Sequence, residues 1–415
     1  MLDRKIAPPF RKSVSFELPG YQTSVVNGIP LFFIPEVHQN VMKIELLLPA
    51  GKWFEPKHGI SHFTSNMIEK GTTRLDSSEL AEAFDRLGAH IEISAGYDHT
   101  SVSVYALLKN WKEAIKLLAE MVINPAFEQE ELDLMREIFL QNLKVNKEKT
   151  SFVAGQLIRR NIFGSHPYGT SLEEKDVLSV TTKDLVAFHE STFKPSSIFI
   201  TAPTSVSKDE VASLLTSLTF SADDSKDDRA ITPGKKNEHI EKEGVQTSIR
   251  MGRQSLHRTH ADYPDLLLFT HILGGYFGSR LMKNIREEKG LTYGIYASIN
   301  PFKHDSFFVI GADVNKENKE LALQEIAKEI KTMRTQAVDA EELEIAKNHF
   351  LGSLQSEVAN PFSVTDKIKN IHVNELPSDY YPKLFKRIDS LSAEDLMKVG
   401  EKWLNEETMF VATVG

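Results

Sequence analysis

One order of elements occurs twice in this chain, and that repetition limits the possible folds more than any other feature. In the first half VMKIELLLP (41–49) reads as a buried strand. A short helix follows over residues 62–70, stopped by Gly71. A second helix, SELAEAFDRLG, is capped by Ser77 and Ser78 and ends at Gly88. AHIEISAG and HTSVSVYAL alternate with period two around Tyr97-Asp98, the pattern of a hairpin. Helical stretches come next (111–121, 128–146, 152–163, 181–193), and then the strand SIFITAP. In the second half IEKEGVQTSIRMG (240–252) is strand-like, a helix over 262–273 ends in Gly274-Gly275, and a helix over 280–289 is closed by Gly290. LTYGIYASI and SFFVIGADV then flank Lys303-His304-Asp305, and two long helices cover 316–335 and 339–357. Gly88 matches Gly290. A period of about 200 residues means a duplicated domain, not a solenoid. Hairpin-paired strands with segregated helices predict an α+β fold: two homologous domains, each a largely antiparallel sheet packed with helices.

Composition places the boundaries. Residues 1–20, with Pro8, Pro9 and Pro19, read as an N-terminal arm. Residues 21–218 form the first domain, opening on a hairpin at Asn27-Gly28. Residues 219–238, TFSADDSKDDRAITPGKKNE, are polar and charge-dense and read as a linker. Residues 239–415 form the second domain.

The 415 residues include no cysteine, which removes disulfides, iron–sulfur clusters, thiolate zinc sites and a cysteine nucleophile. Any transition-metal site must use the 14 histidines, Asp or Glu. A net charge of -9 argues against a cationic grip on nucleic acid and against a polybasic membrane patch. No apolar run is long enough to span a bilayer. MLDRKIAPPF lacks the apolar segment of a signal peptide, so the expected location is the cytoplasm, or the periplasm if a leader was removed before numbering.

Two segments carry chemistry. The first helix reads GISHFTSNMIEKGT, and the second half contains LGGYFGSRLMKNIREEKGLTYGIYASI. With the order of elements, they resemble the pitrilysin/insulinase family of zinc peptidases (inverted zincins), which includes mitochondrial processing peptidase. The resemblance covers nearly the whole chain. The family's helix holds zinc through H-x-x-E-H, two histidines on one helical face with a glutamate base between them. A second glutamate in a later long helix completes the ligand set. Here Gly59, His62, Phe63, Lys70, Gly71 and Thr72 match, but Ser65 stands for the base and Asn66 for the second histidine. The family's spacing puts the remaining ligand position at Asn142, within MREIFLQNLK. A serine hydroxyl is no base at neutral pH, an amide is a poor ligand, and one imidazole does not retain zinc. The expectation is that this chain holds no metal and that the zinc belongs to a partner.

His58 and His62 are also four apart, but His58 precedes the helix and no carboxylate flanks the pair. His90, His99, His271 and His304 are isolated and expected to be structural or solvated. Gly274, Gly275 and Gly278 fit no phosphate-loop spacing and read as a helix stop.

In the family an arginine on a helix and a tyrosine on the next strand face the zinc across a cleft. Arg286 and Tyr293 match that pair, with Gly290 turning the chain between them. Arginine presents a rigid fork of donors for a carbonyl, and tyrosine an O–H for an oxyanion. The bland alternative pairs Arg286 with Glu287, Glu288 or Asp305 and packs Tyr293 into a sheet. The resemblance implies a non-catalytic, substrate-binding subunit of a heterodimeric zinc metallopeptidase acting on unfolded peptides, inactive alone. It implies a homologous zinc-bearing partner, with Arg286 and Tyr293 acting on substrate and tetrahedral intermediate. The alternatives are a structural core-type subunit or a peptide-binding shell without peptidase function.

Overall fold

The computed structural model describes residues 15–36, 40–218, 231–234 and 237–415. Most of the expected arm (1–14) and of the linker (219–230, 235 and 236) lies outside the described residues.

The strands are β1 (Gln22–Val26), β2 (Ile29–Glu36), β3 (Val41–Leu48), β4 (His90–Ala95), β5 (Thr100–Leu107), β6 (Ser197–Pro203), β7 (Asn237–Ile240), β8 (Gln246–Gln254), β9 (Thr292–Pro301), β10 (Ser306–Asn315) and β11 (Phe410–Val414). They form two sheets, ordered β1-β2-β6-β3-β5-β4 and β7-β11-β8-β10-β9. Apart from β1, the two orders superpose strand for strand. In each sheet one pair is parallel, β2 with β6 and β7 with β11, and the rest are antiparallel. The repetition legible in the sequence is therefore a repetition of topology. Gly88 and Gly290 close equivalent helices at φ 60° and 63°, a conformation costly for a residue with a Cβ. Asn27 and Gly28 both take positive φ, as a type I′ hairpin demands.

Three local expectations are corrected. Residues 240–252 are two strands rather than one, because the chain turns at Gly244, whose φ is 149°. The helix Ser77–Leu87 is capped by Asp76, not by Ser77 or Ser78: Asp76 accepts from the Glu79 N–H while Glu79 accepts from the Asp76 N–H. The helix bearing Arg286 is wound as a wide π-helix over Met282–Glu288, and a second π turn spans His271–Gly275.

The halves exchange helices. Thr150–Phe163, from the first half, lies on β8 and β11 of the second sheet, burying Leu157, Ile158 and Phe163 against Phe307, Val309 and Val414. Pro361–Val373, from the second half, lies on β2 and β6, burying Val364 and Ile368 against Ile34, Leu47 and Phe199. Polar contacts pin the exchange. Lys369 and Lys43 hold the buried Glu45 carboxylate at 2.6 and 2.8 Å, and Ser197 Oγ lies 2.8 Å from His372 Nε2. The tips of the two equivalent hairpins also meet, where Asp98 accepts from the Lys303 N–H at 2.9 Å and from the Tyr168 O–H.

Candidate functional site

The helix Ile60–Met67 begins after Gly59, whose φ of 94° gives the left-handed entry. Its apolar residues Ile60, Phe63 and Met67 recur at three- and four-residue spacing and are buried in the first-half core. Ser61 and Thr100 both donate to the Ala50 carbonyl, at 2.6 and 3.1 Å, tying the helix to the loop after β3.

At two of the positions that the resemblance assigns to the zinc motif, Ser65 and Asn66, the polar groups are engaged elsewhere. Ser65 is fully buried, with its Oγ 2.9 Å from Thr100 Oγ1. Asn66 turns its amide back along its own helix, donating to the His62 carbonyl at 2.7 Å. The His62 ring packs against Phe139 with centroids 5.0 Å apart, and burial pushes its imidazole below the ordinary value. Phe139 and Asn142 sit on the helix Gln129–Glu148, three residues apart and so on neighbouring faces, and Asn142 is exposed. The scaffold thus brings the helix of Asn142 against His62, as the resemblance implies. The donors do not fit zinc. One neutral imidazole, a hydroxyl held in the core and two amides offer no carboxylate and no second imidazole. Among the described residues no three His, Asp or Glu converge into a metal-holding group. His58 is not a substitute ligand, because it lies before the helix with its Nδ1 3.3 Å from Glu55.

His62 also lines a cavity of about 230 Å³ with Lys52, Glu55, Ser61, Tyr97 and Leu172. Burial lowers the Lys52 ammonium to about 8 and raises the Glu55 carboxyl. Neither Arg286 nor Tyr293 lines this cavity.

Arg286 and Tyr293 do come together. The Arg286 guanidinium lies over the Tyr293 ring at 5.1 Å and over the Phe277 ring at 4.7 Å, two cation–π contacts. Tyr293 is 91% exposed and Phe277 63%. Among the described residues no carboxylate pairs with Arg286, and Asp305 is engaged by Gln254 and the Ser306 N–H. The bland alternative, an ion-paired arginine beside a packed tyrosine, is therefore not what forms. The helix under Arg286 is anchored on two sides. Arg280 makes a two-pronged bond to Glu342 at 2.9 and 2.7 Å, and the buried Asn284 amide bonds Glu325 and Glu329. Gly274 explains the tight approach of the loop bearing Phe277, since a Cβ there would meet the Ala297 backbone N at 2.6 Å. Phe277 was not singled out from the sequence, where one aromatic in a glycine-rich turn carries no pattern.

Comparison with known proteins decides the family. Residues 35–176 match the family model described as "Insulinase (Peptidase family M16)", and residues 179–350 match "Peptidase M16 inactive domain". The chain belongs to the insulinase family, peptidase family M16. This family member is 24% identical to an uncharacterized zinc protease of Bacillus subtilis (strain 168), over 82% of its own length and 84% of that protein. It is 20% identical to a protein of Arabidopsis thaliana named "Probable mitochondrial-processing peptidase subunit beta, mitochondrial", over 95% and 78% of the two chains. Its fold matches a crystal structure of a peptidase M16 inactive domain from Pseudomonas fluorescens, with TM-score 0.88 at 24% identity over 95% of this chain and 98% of that one. A protease from Helicobacter pylori matches with TM-score 0.86 at 18% identity, over 96% and 100%. The chain is a peptidase-like member of its family whose described residues do not assemble the family's zinc centre. No helix among the described residues is long and apolar enough to cross a membrane.

Proposed function

We propose that this chain is the non-catalytic, substrate-binding subunit of a heterodimeric zinc metallopeptidase that cleaves unfolded peptides, with a homologous partner supplying zinc. The observation that carries this reading is the Arg286–Tyr293 pair, an exposed tyrosine against a half-buried arginine that has no carboxylate partner among the described residues, in a chain with Ser65 and Asn66 at the zinc-motif positions. A purely structural subunit has no use for such a pair. The metal chemistry belongs to the partner. This chain's part is to bind and orient. The Arg286 N–H edge takes a peptide carbonyl, and the Tyr293 O–H donates to the oxygen that becomes negative as the tetrahedral intermediate forms. The relative named as a processing-peptidase subunit supports a division of labour between two similar chains. The cytoplasm remains the expected location.

The test is isolation of the tagged full chain from its own cells. The expected result is co-purification of a similar-sized homologue with an intact H-x-x-E-H, and peptidase activity in the complex that Arg286→Ala or Tyr293→Phe lowers without dissolving it. Unchanged turnover in both variants would remove the role given to these residues.

A further inference from the structure

The bond that turns Tyr293 onto Arg286 is made by a residue with no role assigned so far. In β9, Ile295 and Ala297 point into the second-half core, at 4% exposure each. Strict alternation would put Tyr293 on that same buried face. It escapes because the register slips. Thr292 pairs with Val314 and Ile295 with Ala312, so Tyr293 and Gly294 together oppose the single residue Asp313. This is a β-bulge, which kinks a strand and re-aims a side chain.

The Thr292 hydroxyl sits at the centre of the kink. It accepts from the Gly294 N–H at 3.2 Å and donates across the pair to the Asp313 carbonyl at 2.7 Å. The Gly294 carbonyl, 2.9 Å away, is the alternative acceptor for the same hydrogen. The hydroxyl thus stands in for ladder bonds that the extra residue disrupts. Phe277 lies under the guanidinium as well. The half-buried guanidinium thus has two aromatic rings within 5.1 Å, and its N–H groups suit an acceptor such as a peptide carbonyl or a carboxylate.

We infer that Thr292 is a positioning residue: its hydroxyl pins the bulge that holds the Tyr293 ring under the Arg286 guanidinium. This rests on the reading of Arg286 and Tyr293 as the peptide-facing pair. The experiment uses the full chain labelled with ¹⁵N-arginine. The Arg286 Nε–H resonance, assigned by its loss in Arg286→Lys, is expected to be shifted upfield by the two neighbouring rings. Thr292→Val keeps the β-branched shape and removes the hydroxyl. The expected result is loss of the upfield shift contributed by Tyr293 in Thr292→Val and its retention in Thr292→Ser. Thr292→Ala, which also lacks the hydroxyl, carries the same expectation should the valine variant fail to fold. An Arg286 resonance that stays in place in the hydroxyl-less variant overturns the inference. Neither partner nor peptide is present, so this failure is separate from failure of the peptidase reading, which turnover in Tyr293→Phe decides.

Discussion

Ser65 and Thr100 share a hydrogen bond of 2.9 Å in the fully buried layer beneath the helix Ile60–Met67. Where the family's motif has its base, this chain has a hydroxyl directed into the core. Position 65 has become structural. Ser65→Ala should cost about 1 kcal/mol, the usual net worth of one such bond. Ser65→Glu should cost considerably more, because it puts a longer, charged carboxylate into the fully buried core. Urea unfolding of the two variants checks the order, and a Ser65→Glu chain as stable as the parent would refute it.

Tyr293→Phe keeps the stacked ring and deletes only the O–H. In the complex with the proposed partner, turnover should fall by roughly 10²–10³-fold, the effect of one oxyanion donor. Arg286→Lys should also lose turnover, since an ammonium lacks the planar fork of donors that the guanidinium holds over Phe277 and Tyr293. Steady-state rates with an unfolded peptide decide both.

Glu45 should govern part of the acid limb of stability. Burial opposes its charge, but Lys369 and Lys43 overcome that and hold the carboxyl at about 2, from an ordinary 4.5. A folded-state value depressed in this way contributes stability above the unfolded value, lost as pH falls toward about 2. Unfolding midpoints should therefore drop between those limits. Lys369→Met moves the Glu45 carboxyl back toward its ordinary value, so this part of the acid dependence shrinks. Breaking buried pairs costs about 3–5 kcal/mol at neutral pH, and here the loss is smaller because Lys43 remains.

Cutting the chain within the proposed linker, residues 219–238, should yield halves that do not fold alone. Each sheet would lose the helix the other half lends it, exposing Phe307, Val309 and Val414 on one side and Ile34, Leu47 and Phe199 on the other. Circular dichroism and dye binding of the separate halves should report loose states, and mixing them should restore cooperative unfolding. Two independently cooperative halves would contradict the exchange.

The duplication was legible because glycine stops, hairpin turns and period-two strands are local signals, and apart from the Asn27-Gly28 hairpin they recur in the same order in both halves. The helix exchange was not legible, since an amphipathic helix such as Thr150–Phe163 states that it has an apolar face, not which sheet will cover it. Arg286 and Tyr293 were singled out because the whole segment around Gly290 resembles the family's, not by their spacing alone. Their geometry was not legible, because it depends on a π-wound helix and a one-residue register slip. Gly294, inside a strand pattern, was the available sign of a bulge. That Ser65, Asn66 and Asn142 stand where the resemblance puts zinc donors came from the sequence, while the way Ser65 and Asn66 are engaged needed the packing.

The most direct measurement is peptidase activity and zinc content of the purified full chain alone, assayed on an unfolded peptide with zinc supplied and then with a chelator. The account predicts no stoichiometric zinc and no cleavage. Chelator-sensitive cleavage by the lone chain, abolished in His62→Ala, would contradict it.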